Sequence, residues 1–137
     1  MDDVILNKME TIENCLKRIH EEYDGHEDEF ETNFTKQDSI ILNLQRVCEA
    51  AIDLATRVIR IKNLSTPQNS RDVFDILEKA KLITAQLSKN LQAMVGFRNI
   101  AVHDYQKLSL DIVRSIIKSN LSDFKKFIEE IKSMSLN

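Results

Sequence analysis

An all-α fold, an up-and-down bundle of about five helices, is what this sequence predicts, and three observations predict it. Apolar residues recur in alternating steps of three and four along most of the chain, the spacing that lines up one face of a helix. Two glycines and one proline among 137 residues leave too little turn chemistry for many short strands joined by tight turns. Hydrophobic residues at 42% and charged residues at 30% suit a packed core and exclude a disordered chain. A chain of this length is expected to form a single domain, 1–137.

Ile5, Met9, Ile12, Leu16, Ile19 and Tyr23 form the first stripe, which predicts a helix over 3–23. Asp24-Gly25 breaks it, and the acidic stretch His26 to Glu31 reads as a loop or frayed turn. With Asp38 or Ser39 as cap, Ile40, Leu44, Val47, Ala51, Leu54, Val58 and Ile61 predict a long central helix over 38–63. Ile41, Cys48, Ala55 and Ile59 widen its apolar face, so this helix is expected to bury a second face against another chain, in a homodimer. Asn63 to Ser70, with Pro67, reads as the main interhelical loop. Ser70 as cap and Asp72 in the first turn open a short helix over 71–80. After a bend near Lys81 to Thr84, the run from Ile83 through Leu87, Leu91, Met94 and Val95 to Phe97 predicts a fourth helix ending between 98 and 104. Ser109 caps a fifth, over 109–134, on the stripe Leu110, Val113, Ile117, Leu121, Phe124, Ile128 and Ile131.

Composition removes several function classes. No apolar run reaches about 18 residues, and the chain opens Met1-Asp2-Asp3, so neither membrane spanning nor secretion is expected and the location expected is cytoplasmic. Cys15 and Cys48 have no ligand-type spacing and sit on apolar stripes, which predicts reduced core thiols. The net charge of −3 is unevenly shared: residues 1–33 carry eleven acidic and three basic side chains, −8, and the remainder carries +5. A basic surface on the later helices can therefore meet an anion. The acidic segment Glu21 to Glu31 reads as a solvated connection, with contact to a partner as the other reading.

Chemistry is scarce elsewhere. His20 and His26 straddle the Asp24-Gly25 break without the ligand set zinc requires, so no metal and no cofactor is expected. Gly25 and Gly96 cannot build a phosphate-cradling loop, and no serine sits in a nucleophile elbow. What remains is Gly96-Phe97-Arg98-Asn99-Ile100-Ala101-Val102-His103-Asp104-Tyr105. Arginine supplies a permanently charged, forked donor for phosphate oxygens, and histidine titrates near neutrality and can take and return a proton. Together they are a minimum set for phosphodiester cleavage. Five residues apart on an ideal helix, Arg98 and His103 point about 140° away from each other. Either the helix unwinds before His103, or two subunits bring their pairs to one composite pocket. A purely structural role, with Arg98 and His103 capping helix-end carbonyls and Tyr105 packing half-buried, fits the same residues.

At these positions the chain resembles the HEPN superfamily, specifically the HepT-like toxins of prokaryotic HEPN/MNT toxin–antitoxin pairs. Arg98 to His103 matches the RxxxxH motif with a polar residue after the arginine, and Tyr105 completes the RxxxxHxY form. The resemblance implies a metal-independent endoribonuclease that cuts RNA, tRNA among the candidates, at a homodimer cleft. His103 would act as general base or acid, Arg98 would stabilise charge on the phosphorane, and Asn99 would orient these groups or bond the phosphate. The implied partner is an MNT-type nucleotidyltransferase antitoxin that transfers AMP from ATP to Tyr105, adding charge and bulk that repel RNA. Some of Arg57, Arg60, Lys62, Lys89, Lys107, Arg114 and Lys118 are expected to line the cleft. A non-catalytic HEPN-like module that docks a nucleotidyltransferase is the alternative. A role as the nucleotidyltransferase itself ranks last, because its glycine-serine and paired-aspartate pattern is missing.

Overall fold

The computed structural model describes residues 2–136, and among them every regular element is helical. These are α1 (Asp3–Tyr23), α2 (Phe34–Ile61), α3 (Asp72–Lys79), α4 (Ala85–His103), α5 (Leu110–Ser119) and α6 (Leu121–Ser133), with 3₁₀ turns at Glu27–Glu29 and Tyr105–Lys107. Asp2 caps α1 by accepting from the N–H groups of Val4 and Ile5 at 2.9 and 3.1 Å. Three ion pairs then fix the course of α2: Asp2 with Arg57 at 2.7 Å, Lys8 with Asp53 at 3.1 Å and Glu22 with Lys36 at 3.3 Å. The start of one helix meets the end of the other, so α1 and α2 run antiparallel. The up-and-down expectation holds for this pair.

Helix α2 begins at Phe34, a full turn before the expected 38, and its cap is Asn33, which accepts from the Lys36 N–H at 3.0 Å. Apart from Phe34, which is exposed, the extra turn is polar, which hides it from a search for apolar stripes. Its side chains close the connection to α1: the buried Gln37 amide donates to the Phe30 carbonyl at 2.7 Å, and Lys36 donates to the Glu22 carbonyl at 2.9 Å. The acidic segment is therefore anchored at Phe30, while its charged side chains from Glu27 to Glu31 are exposed, as a solvated connection predicts. Phe30 is fully buried, meets Tyr23 edge-to-face at 5.6 Å between centroids, and lies under the Arg114 guanidinium. Arg114 also pairs with Glu31 at 3.0 Å, tying the segment to α5.

The broad apolar face of α2 is used inside the chain. Leu44, Val47, Cys48, Ala51, Leu54, Ala55 and Val58 are buried between α1 on one side and α3 and α4 on the other. The expectation that this second stripe faces another subunit is thus corrected. Asn63, at φ 57°, ends α2 in a left-handed cap, with the Leu64 N–H donating to the Ile59 carbonyl at 3.0 Å. Lys81, at φ 61°, ends α3 the same way. Thr84 then caps α4 by accepting from the Leu87 N–H at 3.1 Å.

Six helices replace the expected five because Asn120 divides the last one. The break is held by Asp123, only 2% exposed, whose carboxylate accepts from Asn120 and, across on α4, from Asn90, both at 3.2 Å. Phe74 and Phe127 pack edge-to-face at 5.7 Å, joining α3 to α6 in the core. No helix among the described residues is long and apolar enough to cross a membrane.

Candidate active site

Helix α4 carries the motif, and it stays helical through His103 before Asp104 turns away at φ −152°. The Asp104 N–H still closes on the Ile100 carbonyl at 2.8 Å. So the helix does not unwind before His103, and within one chain Arg98 and His103 remain on different faces. His103 is exposed and makes no side-chain hydrogen bond among the described residues. It does not cap the helix.

Arg98 points the other way, inward and beneath the α2–α3 loop. Its Nη2 donates to Ser70 Oγ at 3.0 Å, while its Nε is buried without a partner among the described residues. The guanidinium lies close enough to Cys48 on α2 to oppose, with its positive charge, the burial that pushes that thiol up to about 12. Cys15 is raised by burial as well. Both cysteines are buried and free, as their stripes predicted.

Ser70 is a residue that sequence reasoning assigned elsewhere. It does not cap α3, since Asn69 Oδ1 accepts from the Asp72 N–H at 2.9 Å in that place. Its hydroxyl is left to hold Arg98. Arg71 next to it was also missed. Its guanidinium lies against Gly96, where a Cβ would come within 2.7 Å of Nη2, so the glycine lets an arginine lie across α4 two residues before Arg98. Asn69, Ser70, Arg71, Val95 and Asn99 surround one depression beside the motif, with no carboxylate among them. Asn99 is exposed there.

Beyond the helix, Tyr105 sits in the 3₁₀ turn, 46% exposed, and its hydroxyl donates to Asp38 Oδ1 of α2 at 2.5 Å. Partial burial of the phenol, then its hydrogen bond to Asp38 and the Asp38 charge push Tyr105 up to about 12. Lys107 of the same turn pairs with Asp104 at 3.0 Å. An apolar groove of about 340 Å³ runs from Met94, Phe97 and Ile100 on α4 past Lys107 and Leu108 to Ile112 and Ile116 on α5. Of the seven basic residues expected at the cleft, Lys107 lies at this groove. Arg57 and Arg114 are occupied by Asp2 and Glu31. Among the described residues no three His, Cys, Asp or Glu side chains gather as metal ligands. His20 and His26 contact Asp24 and Glu29 instead, each at 3.0 Å.

Comparison with known proteins decides the family. The family described as Ribonuclease HepT-like matches residues 12–131, most of the chain. The chain belongs to the HepT-like ribonuclease family. A HepT of Shewanella oneidensis, named as an mRNA nuclease, is 53% identical over 133 residues, 97% of this chain and 99% of that protein. A HepT of Aphanizomenon flos-aquae, named as a tRNA nuclease, is 23% identical over 130 residues, 95% and 88% of the two chains. Among solved structures, a tri-AMPylated Shewanella oneidensis HEPN toxin in complex with MNT antitoxin superposes with a TM-score of 0.93 at 53% identity, over 98% of this chain and all of that one. The all-α HEPN fold and the HepT resemblance read from Arg98 to Tyr105 are borne out.

Proposed function

We propose that this HepT-like chain is the toxin of an HEPN/MNT pair and cuts RNA in the cytoplasm through Arg98 and His103. The observation that carries the reading is the disposition of that pair: Arg98 held by Ser70 beside a depression free of carboxylates, and His103 exposed at the helix end. His103 removes the proton from a ribose 2′-OH, the 2′-oxygen attacks phosphorus, and the 5′-oxygen leaves with a proton returned by an imidazole. Arg98 stabilises the charge that grows on the phosphorane, and exposed Asn99 bonds or orients the phosphate. Arg71 adds a cation for the RNA backbone. The 53% identical relative, named for mRNA, favours mRNA over tRNA as the substrate.

Because Arg98 and His103 diverge on one continuous helix, the site is completed in a homodimer. The exposed apolar side chains around the motif, Ile100, Val102 and Ile112, support an interface on α4 and α5. An MNT nucleotidyltransferase silences the toxin by moving AMP from ATP onto Tyr105, which is accessible and borders the same helix end. Inducing the chain alone in a bacterial host tests the reading. Wild type should arrest growth and degrade RNA, while Arg98→Ala and His103→Ala at matched soluble expression should do neither. Equal behaviour of all three would make the motif structural and the chain a docking module.

A further inference from the structure

A phenol that attacks a phosphorus must lose its proton, and the structure has already placed the group that would take it. Among the described residues the Tyr105 hydroxyl makes one hydrogen bond, and its acceptor is a carboxylate oxygen of Asp38, 67 residues away on α2. A nucleophile within hydrogen-bond reach of a fixed base is the arrangement by which side-chain hydroxyls are activated. From this contact we infer that Asp38 is the general base for AMP transfer to Tyr105, so that the toxin carries part of the machinery for its own silencing. The inference rests on the reading that Tyr105 is the acceptor.

The step balances without any further reagent. The Tyr105 oxygen forms a bond to the α-phosphorus of ATP, the bond from that phosphorus to the bridging oxygen breaks, and pyrophosphate leaves with the electron pair. The phenolic proton passes along the existing hydrogen bond to Asp38 Oδ1 and then to water. Tyr105 is 46% exposed, so the residue is accessible to a partner. A base is needed because burial and the Asp38 charge hold the phenol protonated, at about 12, so spontaneous tyrosinate is roughly one part in 10⁵ at pH 7. Competing acceptors nearby are engaged: Asp104, one residue before Tyr105, pairs with Lys107. His103 makes no side-chain hydrogen bond to the phenol.

The same hydrogen bond could serve only to hold the 3₁₀ turn against α2, and the test separates the two roles. The full-length chain, as wild type, Asp38→Asn, Asp38→Glu and Tyr105→Phe, is incubated with an MNT antitoxin that modifies the wild type and with ATP, and AMP transfer is followed by intact mass. Asp38→Asn keeps an acceptor oxygen of the same shape but cannot take up a proton. Its initial rate at pH 7 should fall about 100-fold, the scale of a general-base contribution. The deficit should then shrink about tenfold per pH unit and be gone near pH 9, because the variant must wait for its phenol to ionise in water. Taking the ratio of wild type to variant at each pH cancels titrations in the antitoxin's own site. Asp38→Glu, which keeps a carboxylate on a longer stem, should recover much of the rate, and it decides the matter if Asp38→Asn fails to fold. A pH-independent deficit, a wild-type rate in Asp38→Asn, or no recovery with glutamate overturns the assignment of the base. AMP uptake by Tyr105→Phe at the wild-type rate overturns the acceptor reading instead, so the two failures are distinguishable.

Discussion

Two inactive variants should restore each other when they share a dimer. Arg98→Ala and His103→Ala each remove one half of the proposed pair, and α4 is unbroken between them. Five residues of continuous helix separate the two side chains by about 140° around the axis and about 7.5 Å along it. Such a pair within one chain cannot close on one phosphate, whereas Arg98 of one chain and His103 of the partner subunit can face each other across a two-fold axis. Random mixing of the variants makes half of the dimers mixed, and each mixed dimer keeps one complete cross-chain pair of two. The unfractionated mixture should therefore show about a quarter of wild-type activity, and mixed dimers isolated through two different tags about half. Cleavage of a fluorescent RNA oligonucleotide at matched dimer concentration is the readout. Mixed dimers as inactive as their parents would refute the cross-chain geometry and place Arg98 and His103 in one chain's site.

Ser70→Ala takes away the one side-chain hydrogen bond that Arg98 makes among the described residues, and should lower kcat roughly tenfold, about 1.4 kcal/mol, with KM little changed; an unchanged kcat shows that Arg98 is held by packing alone. Phe30→Ala empties a fully buried position under the acidic segment and should cost about 4 kcal/mol in urea unfolding, and a loss below 1 kcal/mol would mean the segment is not anchored by this ring. Asp2 has its carboxyl lowered chiefly by the Arg57 guanidinium, so the stability it adds is fully present above the ordinary aspartate value and is lost as pH falls through the lowered one. The difference in melting temperature between wild type and Asp2→Asn should accordingly be largest near neutrality and vanish in acid, and no difference at any pH would assign Asp2 a purely capping role, since asparagine caps as well.

How much of this was legible depends on what kind of signal each element leaves. Helices α1 and α4 and the breaks at Asp24-Gly25 and Asn63 to Ser70 could be read from apolar periodicity and turn residues, because those features are local. The division at Asn120 could not. The stripe Val113, Ile117, Leu121, Phe124 and Ile128 keeps its period across the break, and the reason for the break is tertiary: Asp123 accepts from both Asn120 and Asn90. The first turn of α2 was hidden for the opposite reason. It contributes no apolar residue to the stripe, and its Gln37 and Lys36 serve carbonyls of the preceding segment. Width of an apolar face was a poor guide to oligomerisation, since α2 is covered on two sides by helices of its own chain.

The same distinction divides the proposed site. Arg98, Asn99, His103 and Tyr105 form a contiguous pattern, and a pattern is what a sequence displays. Their supporting residues come from distant segments: Ser70 and Arg71 from the α2–α3 loop, Asp38 from the first turns of α2. Each had a plausible local role that concealed it. Ser70 stands two residues before Asp72, the start of α3, and Asp38 precedes an apolar stripe, so both looked like caps, and the caps turned out to be asparagines, Asn69 and Asn33. A serine or aspartate near a helix start fits a capping role whether or not it caps, because the same short polar side chain can serve a backbone N–H or a distant side chain. The one sequence clue was Gly96. A glycine in the interior of a long helix costs about 1 kcal/mol relative to alanine, so it calls for a tertiary reason, and what lies beside it is the guanidinium of Arg71, whose Nη2 is 2.7 Å from where a Cβ would be.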